Sequence, residues 1–181
     1  MNTPYYLERA LFVVGEPNSG KSTQLRSIFR DIRLGTGGKI PRGRRKLPEI
    51  YPLSNERCLY LRLTSPHEFG ESVSGFLDKT EDKIVRNTPR RGRRWVFVSA
   101  LQAHAAKKMP DVVKTCQSFL ARFNPERIRI VFLSPDWHGT NLQADHNQLV
   151  GSLQANGRIE ICWIDARDRR ANGLFLADFL L

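Results

Sequence analysis

Two glycines, a lysine and two hydroxyls stand in one short run, Gly15, Gly20, Lys21, Ser22 and Thr23, in the spacing G-x-x-x-x-G-K-[ST]. Glycine at both ends lets the main chain curve through conformations closed to other residues, so that successive N–H groups, those of Asn18 and Ser19 among them, face one concavity suited to an anion. Lys21 adds a positive charge on a flexible stem, and the Ser22 hydroxyl can ligate a divalent cation beside the anion. Pro17 has no N–H and is confined to a part of the loop that donates nothing. The chemistry that suits such a run is the holding of a polyphosphate with its counter-cation at the positive end of a helix.

That chemistry needs a strand before the loop and a helix after it. Ala10–Val14 is a short apolar run of buried-strand type, and Leu25, Ile28, Phe29 and Ile32 recur at helical spacing. The spacing predicts a helix from Lys21 to Leu34, stopped by Gly35. In this setting the residues Gly15 to Thr23 resemble the P-loop NTPase superfamily, without indicating a family inside it. The resemblance implies ATP or GTP with Mg²⁺ as cofactors, Lys21 on the β- and γ-phosphates, and Ser22 on the metal. The run Gly-Glu-Pro-x-x-Gly-Lys-Ser is similar to loops of both ATPases and small kinases. Three readings follow: an NTPase acting with nucleic acid or a partner assembly, a small nucleotide or polynucleotide kinase, and a nucleotide-gated binding module with little turnover.

Further along, Cys58–Thr64, Trp95–Val98, Ile128–Leu133 and Ile159–Ile164 read as strands, and helical stripes lie between them. Ser65 to Arg86 reads as one helix burying Phe69, Val73, Phe76, Leu77 and Ile84; Pro110–Phe123 as a second, stopped by Asn124-Pro125; Leu142–Leu153 as a third. Asn172–Leu181 closes the chain. The expected fold is a single α/β domain over residues 1–181, a mostly parallel sheet of five strands with helices on both faces and right-handed crossovers, of the P-loop NTPase type.

Three groups of residues are candidates beyond the loop. Acids come first. Many P-loop proteins place a metal-binding acid at the end of the third strand, where this chain has Ser99, so Asp136, after the fourth strand, is the substitute Mg²⁺ contact and a catalytic candidate, with capping of a turn as its alternative. Glu68 is a candidate base beside Lys21 as catalytic residues, although Ser65-Pro66-His67-Glu68 also fits a capping box. Around these, Trp137 offers a stacking surface, and His67, His104, His138 and His146 are weaker acid–base or ligand candidates than surface or packing residues. Asp165 and Arg167 could approach a nucleotide or pair with each other.

Charge supplies the last group. The 181 residues carry a net charge of +11, which makes a polyanion a plausible second partner. A Gly/Pro-rich insertion over 36–56 holds Arg42, Arg44, Arg45 and Lys46, and a second cluster holds Arg90, Arg91, Arg93 and Arg94. Either cluster could contact nucleic acid or an acidic protein, or simply be solvated. The second should lie at the edge of the sheet opposite the glycine loop. Three scattered cysteines fit a reducing cytosol without a zinc site, and the absence of a long apolar run argues against a membrane partner.

Overall fold

The structure is a computed structural model that describes residues 4–34, 36–40, 47–142, 151–153 and 156–181. One six-stranded sheet organises it, in the order β2-β3-β4-β1-β5-β6. The strands are β1 (Tyr6–Val14), β2 (Ile50–Pro52), β3 (Arg57–Arg62), β4 (Arg94–Leu101), β5 (Arg127–Leu133) and β6 (Ile159–Ile164). All pairings are parallel except that of the short edge strand β2 with β3. Six strands replace the expected five because Ile50-Tyr51-Pro52 folds back on Cys58–Tyr60; Pro52, which lacks a donor, is tolerated at an edge. Part of the 36–56 segment therefore has structure, whereas Arg42, Arg44, Arg45 and Lys46 lie outside the described residues.

The helices are α1 (Lys21–Ser27), α2 (Pro66–Phe69), α3 (Val73–Arg91), α4 (Val112–Phe123) and α5 (Arg169–Leu180). Residues 151–153 are also helical, but most of the expected Leu142–Leu153 helix, His146 included, falls outside the described residues. Because β1 sends the chain to β3 on one side while β4 sends it past β1 to β5, a constant crossover hand puts α1 on one face and α3 and α4 on the other. The cores agree. Ala10, Phe12 and Val14 pack with Phe76, Ile84, Cys116 and Phe119, while Leu11 and Val13 pack with Leu25, Phe29, Leu176 and Leu180. The central strand β1 is thus buried on both faces, which accounts for its unbroken apolar run.

Three helix expectations need correction. The helix after the glycine loop ends at Ser27 and continues only as 3₁₀ turns, Ile28–Arg30 and Ile32–Leu34, because Asp31 is extended and its carboxylate accepts from Arg33 N at 2.9 Å. Gly35, its expected stop, is not among the described residues. The expected helix from Ser65 is two helices, since Gly70 adopts a left-handed conformation (φ 64°) and Ser72 starts α3 by accepting from Gly75 N at 3.1 Å. Finally, α3 runs on through Pro89 to Arg91, so Arg90 and Arg91 end a helix, Arg94 begins β4, and only Gly92-Arg93 of the second cluster forms the turn between them.

The amino ends of the strands carry their own charge chemistry. A register shift between Leu7 and Arg9 makes Glu8 a bulged residue, and its buried carboxylate meets Arg57 at 2.5 Å and also pairs with Arg94. Arg90, Arg93 and Arg94 border an open depression there with Glu56 and Asn55. The expectation for their place therefore holds: they lie at the opposite end of the sheet from the glycine loop, and the Arg91 side chain is not described.

Candidate functional site

The glycine loop leaves the carboxyl end of β1, between β4 and β5. Its chain turns to the α1 face while the chains leaving both neighbours turn to the other, the arrangement that opens a ligand crevice in an α/β sheet. Asn18 (φ 61°) and Gly20 (φ 95°) are left-handed, which gives the loop its tight curvature. At Gly15 a Cβ would lie 2.5 Å from Ser19 Oγ and 3.2 Å from Ser19 Cβ, so a larger residue there would displace the Ser19 side chain.

Ties to every neighbouring parallel strand hold the loop and the first turns of α1. Gly15 N donates to the carbonyl oxygen of Leu101, the last residue of β4, at 3.3 Å, and Trp137 N beyond β5 donates to Ser19 O at 3.2 Å. Ser22 Oγ donates to Leu63 O after β3 at 2.9 Å. Gln24 Nε2 donates to Ala166 O after β6 at 2.5 Å, and Ala166 N donates in turn to Pro135 O. Gln24 was not a candidate from sequence; it is 1% exposed, and an amide in an otherwise apolar helical stripe was its signal.

Lys21 folds back over the loop, donating to Gly15 O at 3.0 Å and Glu16 O at 2.5 Å. Only 4% of it is exposed, and burial lowers its pKa, offset in part by the carboxylates of Glu68 and Glu16. Both carbonyls would be exchanged for phosphate oxygens by a modest swing of a flexible side chain. Ser19 Oγ is buried and has no hydrogen-bond partner among the described residues. The Ser22 hydroxyl uses its proton on Leu63 O, leaving oxygen lone pairs for a cation, so the side chains present fit both a polyphosphate and Mg²⁺.

The remaining candidates separate clearly. Glu68 is exposed on α2 and contributes to the field at Lys21. The capping box is not formed: Ser65 Oγ bonds His67 Nδ1 at 3.1 Å instead of capping the helix. His67 itself, expected on the surface, is 1% exposed; Nε2 donates to Pro110 O at 2.9 Å, so Nδ1 is the acceptor and the ring is neutral and satisfied. Phe69, expected in the core, is 69% exposed because the helix stops one residue later.

On the other side, Asp136 Oδ1 accepts from His138 N and Thr140 N, each at 2.8 Å, which is the turn-closing role. Its neighbour Trp137 touches the loop, and the Arg169 guanidinium lies 3.7 Å over the indole, so one face of that ring is already covered. Asp165 and Arg167 form a forked ion pair, which holds the Asp165 carboxyl down at about 2. His138 is exposed, and His104, also exposed, has Nε2 3.4 Å from Glu16 Oε1. Ser99 is fully buried and donates to Ala100 O, so it faces no ligand. Among the described residues, no three His, Cys, Asp or Glu side chains converge as a metal centre, and no helix is long and apolar enough to cross a membrane.

His67 ties the end of β3 to the start of α4, and its burial lowers its pKa from the ordinary 6.5. The unfolded chain therefore takes up this proton first, so its contribution to stability is complete above about pH 6.5 and is lost as pH falls below it. Asp31, Glu71 and Glu81 act in the same direction only below about pH 4.5. Unfolding free energies from urea titrations at pH 7.5 to 5.5 should fall, by at most about 1.4 kcal/mol per pH unit, and His67→Gln should flatten that slope. An equally steep slope in the variant would assign the effect elsewhere.

No protein-family model, no curated protein and no solved structure matches this chain.

Proposed function

We propose that Gly15, Asn18, Ser19, Gly20, Lys21, Ser22 and Thr23 bind the polyphosphate of ATP or GTP with Mg²⁺, and that the chain is a phosphoryl-transfer protein of the P-loop NTPase type. The observation that carries this reading is the loop at the sheet's crevice, with Lys21 Nζ held 3.0 and 2.5 Å from two carbonyls of that same loop. In this reading Lys21 would move onto the terminal phosphates and Ser22 would hold the metal, with Asp136, whose Oδ1 closes a turn, as the proposed second contact. The cation, when bound, would neutralise charge on the phosphate oxygens. Positioning and charge supply most of the rate, since phosphoryl transfer asks for little covalent chemistry from protein.

With water as acceptor the chain is an NTPase. A polyanion on Arg90, Arg93 and Arg94 would then sit at the far end of the sheet, so any effect on turnover would be transmitted through β1 and β4. The test is equilibrium binding of fluorescent ATP and GTP analogues with and without Mg²⁺, followed by release of labelled γ-phosphate with and without DNA or RNA. Saturable, Mg²⁺-dependent binding is the expected result; failure of both nucleotides to bind overturns the reading. Stimulation of label release by nucleic acid identifies a coupled NTPase. The kinase reading is favoured by one observation, a groove that opens at Ser22.

A further inference from the structure

An open groove of about 430 Å³ runs beside the first two turns of α1, on the side toward β3. Ser22 and Arg26, one turn apart on α1, form one wall. Arg62 and Thr64, at the end of β3, form the floor with Leu61 and Leu63, and the exposed ring of Phe69 stands at the rim. The volume is that of a small-molecule site. Because Ser22 belongs both to this groove and to the glycine loop, whatever occupies the groove adjoins the terminal phosphate of a nucleotide held by the loop.

From this geometry, and resting on the nucleotide reading above, we infer that the groove is the acceptor site of a kinase, and that its acceptor is a phosphate monoester such as a nucleoside monophosphate. Charge selects the class. Glu49, which lines the groove, is paired with Lys83 at 2.6 Å, and Glu71 is shared by Arg62 at 3.0 Å and Lys79 at 2.8 Å. Among the described lining residues Arg26 and Arg62 outnumber the one carboxylate, Glu49, so the groove favours an anionic occupant. Arg26 and Arg62 suit a phosphate dianion, whereas Phe69 offers an aromatic face to the remainder of the molecule.

The pairing of the described lining carboxylate points the same way. Glu49 is paired with Lys83, so among the described lining residues an alcohol entering the groove would find no unpaired carboxylate to take its proton. A phosphate oxyanion needs none. Its oxygen forms a bond to the γ-phosphorus of ATP or GTP while the bond from that phosphorus to the β–γ bridging oxygen breaks; the bridging electron pair stays with the nucleoside diphosphate, and the acceptor leaves as a diphosphate. No proton or further reactant is required.

The test uses the full chain with γ-labelled ATP and GTP and Mg²⁺, and offers AMP, GMP, CMP and UMP in one arm and a 5′-phosphorylated oligonucleotide in another. Label on a monophosphate identifies a free-nucleotide acceptor; label on the oligonucleotide's terminal phosphate identifies the same chemistry on a polymer. Arg26→Gln and Phe69→Ser should each lower kcat/KM for the acceptor by about tenfold or more, while affinity for the MgATP analogue stays within about twofold. Phe69→Ser keeps the test valid if Arg26→Gln fails to fold, since that ring is 69% exposed. If analogue binds but label passes only to water, or transfer is the same in both variants, the acceptor site is wrong while the nucleotide site stands. If no analogue binds, both fail.

Discussion

Lys21→Ala should weaken ATP and GTP binding by roughly ten- to a hundredfold, the equivalent of the 1.5–3 kcal/mol that a hydrogen bond to a charged group contributes. The lost group is the one cation that the structure holds inside the loop, 4% exposed and directed at its carbonyls. The fold should survive. Removal leaves two carbonyls to find water, but it also removes a buried charge whose lowered pKa already records the cost of its desolvation. Opposing contributions of that kind should leave stability within about 1 kcal/mol of the parent. Titration calorimetry with ATP and GTP, read beside urea unfolding, separates the two effects. Unchanged affinity in a folded variant would sink the loop assignment.

Gly173→Ala should destabilise the chain by about 2–3 kcal/mol and weaken nucleotide binding as a consequence. In α5 a Cβ at this position would lie 2.3 Å from Ser27 O and 2.8 Å from Ser27 C, both main-chain atoms at the end of α1. Neither can rotate away as a side chain would, so the two helices must part. The Ser27 hydroxyl is itself committed to Gln24 O at 2.6 Å. Gln24 in turn ties α1 to Ala166, so parting the helices loosens the seat of the glycine loop. Gly151→Ala, where a Cβ meets nothing within 4 Å, is the matching control and should cost nothing measurable. Thermal or urea unfolding of both variants tests the contrast; equal stability of Gly173→Ala and its parent would show that α1 and α5 approach less closely than described.

Much of the α/β layering was legible because buried parallel strands read as unbroken apolar runs and α4 reads as an amphipathic stripe with a cap at each end. What was not legible depends on specific side-chain bonds that periodicity does not register, some local and some between residues distant in sequence. Periodicity carries Ile28, Phe29 and Ile32 as one helix, but it is blind to the Asp31 carboxylate that takes Arg33 N and ends it. Ser65-x-x-Glu68 has the letters of a capping box, yet Ser65 is better satisfied by His67, and His67 is buried only because Pro110 and Gln102 come to it from beyond β4. The loop's candidates follow from a local motif, and the structure holds them together; Glu68 joins their field, whereas Asp136 reaches its neighbourhood as a turn residue. Arg26 carried a usable signal, its position one turn after Ser22, but its neighbours Arg62 and Phe69 become its neighbours only when β3 is in place.

The central place of β1 also governs the order in which the chain can fold. Its two partners, Arg94–Leu101 and Arg127–Leu133, lie far downstream of Val14, so during synthesis the strand that leads into the glycine loop emerges long before either hydrogen-bonded neighbour. Loop closure over that distance must precede any reward from pairing, which gives the sheet a high contact order and slow assembly. Until β5 arrives, Leu11 to Val14 is an exposed apolar strand with an open edge, the type of segment that aggregates when crowded and that chaperones engage. The residues proposed to bind nucleotide are thus made well before the strands that complete their crevice.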